Sequence, residues 1–476
     1  MSEGTQKACR VAVLGGGVAG LQAAFELARQ GFSVRVFEAT GEVGGRARGE
    51  WCAGHWMDSN WPVLGGNDLA LARWARDLGF GDSLLPLRPV QTALLQGGET
   101  KVVDGLSLSG AARIPGPTLW ERPKLLRFRR LMSRYASLLD ASRPERAASL
   151  DYRSMRDHVS LYFGKGNLEF WLGPEVQGVY GDSVEELSRV ALLLHAQSLA
   201  IGEHRPRPAG LPRRPLVELA QIAAERLDVR RGVAIQRIDE EPAGGFRVET
   251  MDHSAGIGDE RFDAIVVAVG ASQAADLSIA LLTPAERDFF DAVTLRPALT
   301  LSVALDGVDR GLPMEVRIPR REGSAISSLV IEPGQPSGRV PEGRSQIVAL
   351  ARDSFAERWQ DMADDVVEKN LMSSLELALP GTGERILTTR LGRATVPFFG
   401  VGSYRRLAMF QNVQNDRRAL GRRLYWAGDY LGAPGFEAAA LSGLRAARAL
   451  AADVAQDRTS AMPMPDDSPG EISDGL

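Results

Sequence analysis

VAVLGGGVAGLQAAFELARQGFSVRVFEATGEVGGRARG, residues 11–49, decides the fold of this chain. Residues 11–14 are a short apolar run, the pattern of a strand buried on both faces of a parallel sheet. Gly15, Gly17 and Gly20 follow on a G-x-G-x-x-G spacing. The first glycine permits a tight turn, the second lets the backbone approach a pyrophosphate, and the third lets helix and strand pack closely. The spacing predicts a helix over about 19–30, with Leu21, Ala24, Phe25 and Ala28 on one face and Gly31 ending it. Its first turn, with Val18 and Ala19, offers N–H groups and a positive dipole end to phosphate. Residues 33–37 read as the next strand, and Glu38 stands 18 residues after Gly20. A carboxylate there accepts hydrogen bonds from ribose hydroxyls and disfavours a 2′-phosphate. Strand, turn, helix, strand and acid in register make a dinucleotide-binding unit.

Glu42-Val43-Gly44-Gly45-Arg46 comes directly after that acid. Gly44 and Gly45 bring backbone N–H groups near a second phosphate or a sugar chain, and Arg46 supplies a fixed charge. Far along the chain stands RRLYWAGDYLGAPGFEAAALSGLRAARAL, residues 422–450. With these segments the chain resembles the flavin amine oxidase superfamily, which includes amine oxidases, protoporphyrinogen oxidases and phytoene desaturases. The resemblance implies an α/β fold: a Rossmann-type FAD-binding domain interleaved with a substrate domain of mixed sheet plus a helical lobe. It implies FAD held non-covalently, as no cysteine stands in the C-terminal segment. It assigns the backbone near Val233, in the strand 225–241, to the adenine side, and FDAIVVAVGAS (262–272) to a strand returning to the nucleotide domain. Gly428 and Asp429 match the ribityl or phosphate region. Glu437, Ala438 and Ala439 match a helix start facing the flavin C2 carbonyl, where a dipole stabilises the negative charge of reduced flavin.

The expected FAD domain is discontinuous: 5–75, 212–275 and 401–455. A helical lobe is expected over 76–205, and a substrate domain with sheet over 280–400, including one helix at 354–379. The acidic, Pro/Ser/Gly-rich stretch 456–476 reads as a disordered tail. A length of 476 residues, 44% hydrophobic and 24% charged, suits a two-lobed globular enzyme. A net charge of −4 suggests no nucleic-acid partner. Cys9 and Cys52 form no disulfide framework and point to a reducing compartment. With no signal peptide and no bilayer-length apolar run, a cytoplasmic location is expected. No metal-ligand spacing is present, and no metal is expected.

Around 179–188 and 399–410 the chain is most similar to the protoporphyrinogen oxidase and desaturase branches. That implies hydride removal from carbon of a bulky, lipophilic small molecule, with oxygen or another acceptor reoxidising the flavin. Phe436 matches an aromatic position that cages the amine in amine oxidases, so amine or amino-acid oxidation is the alternative. The strand 297–305 lacks the lysine that many amine oxidases carry. A non-redox isomerase or mutase is a third reading, supported by fold alone. Asn60 replaces a family glycine; asparagine tolerates a left-handed backbone and would put its side chain near the ring. Trp61, with His55 and Trp56, is either cavity wall or lobe packing. Phe170, Trp171, Glu175, Gln177 and Tyr180 fall where the helical lobe covers the substrate, and core packing is the default for Phe170 and Trp171. His195, in the apolar run 191–199, reads as a satisfied core histidine. Residues 120–139 place Leu125, Phe128, Leu131, Met132, Tyr135 and Leu139 on one helical face and Arg127, Arg130 and Arg134 opposite. That is either a domain helix with a solvated arginine face or a peripheral contact with an anionic membrane.

Overall fold

In the computed structural model, residues 8–460 are described, apart from 66–68, 82–87, 253 and 309–311. The strand Arg10–Leu14 is the middle of a five-stranded sheet. Across the sheet the order is Leu424–Trp426, Ala264–Val267, Arg10–Leu14, Ser33–Glu38 and Asp228–Arg231, every pair parallel. Val11 and Val13 pack into one core with the nucleotide helix Val18–Arg29, the helix Leu216–Glu225 and the C-terminal helix Phe436–Ser460. Ala12 and Leu14 pack into another, beneath the antiparallel strands Val233–Glu240, Phe246–Asp252 and Gly256–Phe262. Burial on both faces is why the strand is apolar throughout rather than alternating.

The segment 225–241 is two strands, not one. Gly232, at φ +72°, breaks it. Asp228–Arg231 pairs at the edge of the parallel sheet, and Val233–Glu240 opens the antiparallel one.

A second sheet of seven strands runs Ile386–Phe398, Thr294–Asp306, Arg344–Ala351, Ile326–Pro333, Glu315–Arg317, Thr92–Gln96 and Glu99–Val102. Only the contact between Glu315–Arg317 and Thr92–Gln96 is parallel. The last two strands are a hairpin drawn from the stretch expected to be helical. The expected helix 354–379 is two helices, Asp353–Trp359 and Asp364–Ala378. The break has a partner: the Arg393 guanidinium donates to the carbonyls of Gln360 and Met362 and pairs with Asp364. Those carbonyls are satisfied from outside, so the helix need not continue.

The helices Leu125–Tyr135, Met155–Tyr162, Gly173–Tyr180 and Arg189–Ser198 close around Phe128, Phe163, Trp171 and Leu193. Leu125, Phe128, Met132 and Leu139 belong to this core, so the apolar face of 120–139 is spent on folding. What faces outward is Leu119, Trp120 and Leu126, among the exposed Arg127, Arg129 and Arg130. The C-terminal helix continues to Ser460, past the expected start of the tail; the remainder, 461–476, lies outside the described residues. Among the described residues no helix is long and apolar enough to cross a membrane.

Candidate active site

Each glycine of the nucleotide loop has its own steric reason. Gly15 turns the chain at φ +112°, and a Cβ there would lie 2.7 Å from Ala268 O. A Cβ on Gly20 would lie 2.0 Å from Gly15 O, closer than any side chain permits. Gly17 is open: the nearest atom to a Cβ there is Gly45 Cα at 4.0 Å. That space caps the nucleotide helix and belongs to a cavity, a cradle fitted to a phosphate. Gly44 donates to Gly16 O at 2.8 Å and bridges Gly17, which lays the second glycine turn against the first. One Glu38 oxygen accepts from Gly16 N at 2.8 Å. The other accepts from Thr40 N at 2.9 Å and Thr40 Oγ1 at 2.8 Å. Glu38→Ala is expected to weaken dinucleotide affinity at least about 100-fold, since charge-assisted hydrogen bonds contribute about 1.5–3 kcal/mol each. Calorimetric titration of the apoprotein with FAD measures it.

The C-terminal helix crosses the nucleotide helix at Gly443, where a Cβ would lie 2.1 Å from Ala19 O. Sequence reasoning missed this residue; its signal was the small-residue run around it. The crossing brings both helix starts to one cavity, lined by Gly17, Val18 and Ala19 and by Phe436, Glu437, Ala438 and Ala439. Val233, Gly44, Gly45, Arg46, Gly428 and Asp429 line it too. Asp429 is buried and pairs with Arg46 at 2.6 Å. Ser442 Oγ accepts from Gly428 N at 2.8 Å, fixing the strand end. The Glu437 carboxylate accepts from Ala70 N at 2.8 Å and Leu71 N at 3.0 Å, capping the helix Leu69–Asp77. Its side chain therefore serves structure, and only its backbone is placed as the helix start requires. The N–H of Ala439 is already bonded to Gly435 O at 3.1 Å inside the helix.

The cavity has a volume of about 2360 Å³ and continues beneath the seven-stranded sheet and the helical lobe. Leu194, Ala298, Leu350, Val396, Phe398 and Phe436 supply apolar wall. Trp61 lines it and packs on Gly178, where a Cβ would lie 2.9 Å from Trp61 Nε1. Asn60 also lines it, but its backbone is not left-handed; its amide donates to Arg46 O at 2.7 Å. The asparagine thus ties the segment to the arginine turn instead of rescuing a glycine conformation. Gln177 donates to Ser327 O at 2.6 Å, joining lobe to sheet. Arg296 stacks over Phe398 at 3.6 Å and pairs with Glu186 at 2.7 Å. Beside it, burial and the nearby Asp182 push the Asp353 carboxyl up to about 6.

His55 and Trp56 are lobe packing and do not line the cavity. Trp56 Nε1 donates to Asp58 at 2.9 Å, and Asp58 pairs with the buried Arg339 at 2.8 Å. Phe170 and Trp171 lie in the lobe core, and Trp171 Nε1 donates to Gly105 O at 2.8 Å. His195 is the satisfied core histidine expected, with Nε2 3.1 Å from Glu175 O, and it also borders the cavity. Among the described residues that line the cavity there is no lysine and no cysteine.

Solved structures share this fold. A candidate protoporphyrinogen oxidase from Exiguobacterium sp. 255-15 is 18% identical, with 94% of this chain and 99% of that one covered at a TM-score of 0.70. Wild-type putrescine oxidase bound to putrescine is 16% identical, with 94% and 99% covered at 0.72. A fatty acid isomerase from P. acnes that produces CLA is 16% identical, with 92% and 98% covered at 0.65. At such identities the likeness establishes the fold, and the chemistry rests on the site. No curated protein matches the chain. Residues 18–451 match the flavin containing amine oxidoreductases, a span running from the nucleotide helix into the helix that crosses it, and this chain is a member of that family, an FAD-dependent oxidoreductase.

Proposed function

We propose that the enzyme removes hydride from a carbon of a bulky, largely apolar molecule, and that oxygen or another acceptor then reoxidises the flavin. The observation that carries this reading is the size and lining of the cavity. Its 2360 Å³ is more than twice the upper end of ordinary ligand pockets, about 300–1,000 Å³, so a large substrate has room beside a dinucleotide. FAD supplies the hydride acceptor. Gly15, Gly17, Gly20, Glu38, Gly44, Gly45, Arg46, Val233, Gly428 and Asp429 would hold it. The start of the C-terminal helix, at Glu437 and Ala438, would stabilise negative charge on its ring. Phe436, Asn60 and Trp61 would align the substrate.

Phe436→Ala is expected to slow flavin reduction on the order of 10²-fold, since a small misplacement of reacting atoms has that cost. FAD content and melting temperature should hold. Stopped-flow reduction and a melting curve on one sample read both; a stable, loaded variant with normal kinetics removes Phe436 from the alignment role.

Amine oxidation is the second reading, favoured by Phe436 at the cavity wall and opposed by the lysine-free lining. An anaerobic panel separates them. Bleaching of the flavin by a porphyrinogen or a carotenoid precursor, and not by amines, supports the proposal; bleaching by amines alone overturns it. Isomerisation of a lipid with no net bleaching would establish the third, non-redox reading.

A lipophilic substrate also suits peripheral membrane contact through the outward side of 120–139. Exposed Leu119, Trp120 and Leu126 would enter the interface, with Arg127, Arg129 and Arg130 near anionic headgroups. Co-sedimentation with vesicles containing phosphatidylserine is expected, and should be lost in Trp120→Ser/Leu126→Ser. Equal sedimentation of the variant would exclude this surface.

A further inference from the structure

We propose that His195 is the proton acceptor of the substrate cavity, its Nδ1 taking the proton that a substrate gives up as it loses hydride, with Glu175 as the positioning residue behind it. The proposal rests on reading the cavity as a site of two-electron dehydrogenation.

The tautomer follows from one contact. His195 Nε2 lies 3.1 Å from the carbonyl oxygen of Glu175. A carbonyl oxygen only accepts, so Nε2 carries the hydrogen, and the neutral ring keeps its lone pair on Nδ1. His195 is one of the cavity's lining residues. Burial holds its pKa below the ordinary histidine range, with the Glu175 charge opposing and Arg317 adding to the shift. The ring is therefore neutral, and able to accept, at neutral pH.

A second observation lies behind the ring. Glu175 is buried, and its Oε2 pairs with Arg317 Nη1 at 2.5 Å. Its buried Oε1 lies 3.9 Å from His195 Nε2 and takes no hydrogen bond from the described residues. The oxygen faces the one nitrogen whose hydrogen becomes more acidic when Nδ1 takes a proton. The pair thus stabilises the imidazolium while leaving the resting ring neutral. The charged groups that face the ring are Glu175, from the helix Gly173–Tyr180, and Arg317, from the strand Glu315–Arg317, which also holds Glu315 at 2.9 Å. Tyr180 meets the ring edge-on at 6.1 Å and brings no charge. Glu175, Glu315 and Arg317 line a second cavity of about 480 Å³, so the His195–Glu175 pair spans the wall between the two.

The step balances as follows. With FAD bound, a substrate C–H would leave as hydride, its two electrons going to the cofactor. An N–H or O–H attached to that carbon, directly or through a ring double bond, loses its proton to Nδ1. A new double bond replaces the two lost bonds to hydrogen, and imidazole becomes imidazolium. The substrate class is accordingly a bulky, largely apolar molecule with a pyrrole-like N–H or a hydroxyl near the oxidised carbon, rather than a plain hydrocarbon.

The first test needs no substrate. The chain has five histidines, so ¹⁵N-histidine NMR of the FAD-loaded enzyme is tractable, with His195→Gln giving the assignment. At pH 7.5 the ring should be neutral and protonated at Nε2; a ring charged or protonated at Nδ1 overturns the proposal. The second test is anaerobic flavin reduction by a porphyrinogen across pH. The wild-type rate should fall as pH drops through the lowered His195 pKa. His195→Gln, with unchanged FAD content and circular dichroism, should be about 10²-fold slower or more and lack that acid limb. Glu175→Gln should move the limb to lower pH, because the imidazolium loses its anion; a merely structural role would leave the limb where it is. His195→Gln with the wild-type rate and limb overturns the proposal. Because the tautomer is read without substrate, a protein that no panel compound reduces refutes the proposed function and leaves the acceptor to be decided by the ring.

Discussion

Gly443→Ala is expected to cost the protein most of its FAD and a large part of its stability. The added Cβ would sit 2.1 Å from Ala19 O and 3.3 Å from Ala19 Cα, both atoms of the nucleotide helix backbone. Backbone inside a helix cannot yield alone, so the two helices must part by roughly an ångström. Overpacking of this kind costs about 1–3 kcal/mol, at the upper end where no side chain can rotate away. The same movement separates the two helix starts that face the cavity. FAD affinity should therefore fall about 10–100-fold, a change of about 1.4–2.8 kcal/mol. Gly41→Ala is the control, because nothing lies within 4 Å of a Cβ there. Flavin content after gel filtration and a urea melt distinguish the two; a fully loaded, stable Gly443→Ala protein would show that the crossing is looser than described.

Arg339→Met is expected to destabilise the fold by about 3–5 kcal/mol, the usual cost of stranding a buried charge. Arg339 is 1% exposed and holds two carboxylates, Asp58 at 2.8 Å and Glu332 at 2.7 Å. Glu332 keeps Arg88 as a partner, whereas among the described residues Asp58 keeps only Trp56 Nε1. Burial already raises the Asp58 pKa, against the pull of Arg339. Without the arginine it rises further. A carboxyl whose folded pKa is raised contributes stability below its unfolded pKa and loses it as pH climbs through the folded one. The variant should therefore be weakest at neutral pH and recover on mild acidification. Adding Asp58→Asn should restore part of the loss at pH 7. Urea melts at pH 5 and pH 7.5 test the sign, and a pH-independent deficit would mean lost packing rather than a stranded charge.

The nucleotide unit was legible because its constraints are local. Gly15 and Gly20 answer to atoms in the same strand–turn–helix or in the strand beside it, and Glu38 to Gly16 and Thr40. The two misread helices show where locality ends. The break in 354–379 depends on Arg393, about thirty residues away, and no propensity within the segment announces it. The hairpin Thr92–Gln96 and Glu99–Val102 is held by a strand more than two hundred residues distant. Asn60 could be seen to depart from a pattern, but its partner, Arg46 O, could not.

The sequence by itself determined the nucleotide-binding unit and the family resemblance, because glycine spacing, apolar runs and an acid at the end of the second strand act over a few residues. Tertiary structure alone decided which side chains share the cavity. It put the buried His195 at the cavity wall and gave the Glu437 carboxylate to another helix. It also spent the apolar face of 120–139 on the lobe core and made Gly443 the point where two helices touch. Each of these depends on distances between segments far apart in the chain, and long-range packing is what a one-dimensional pattern does not encode.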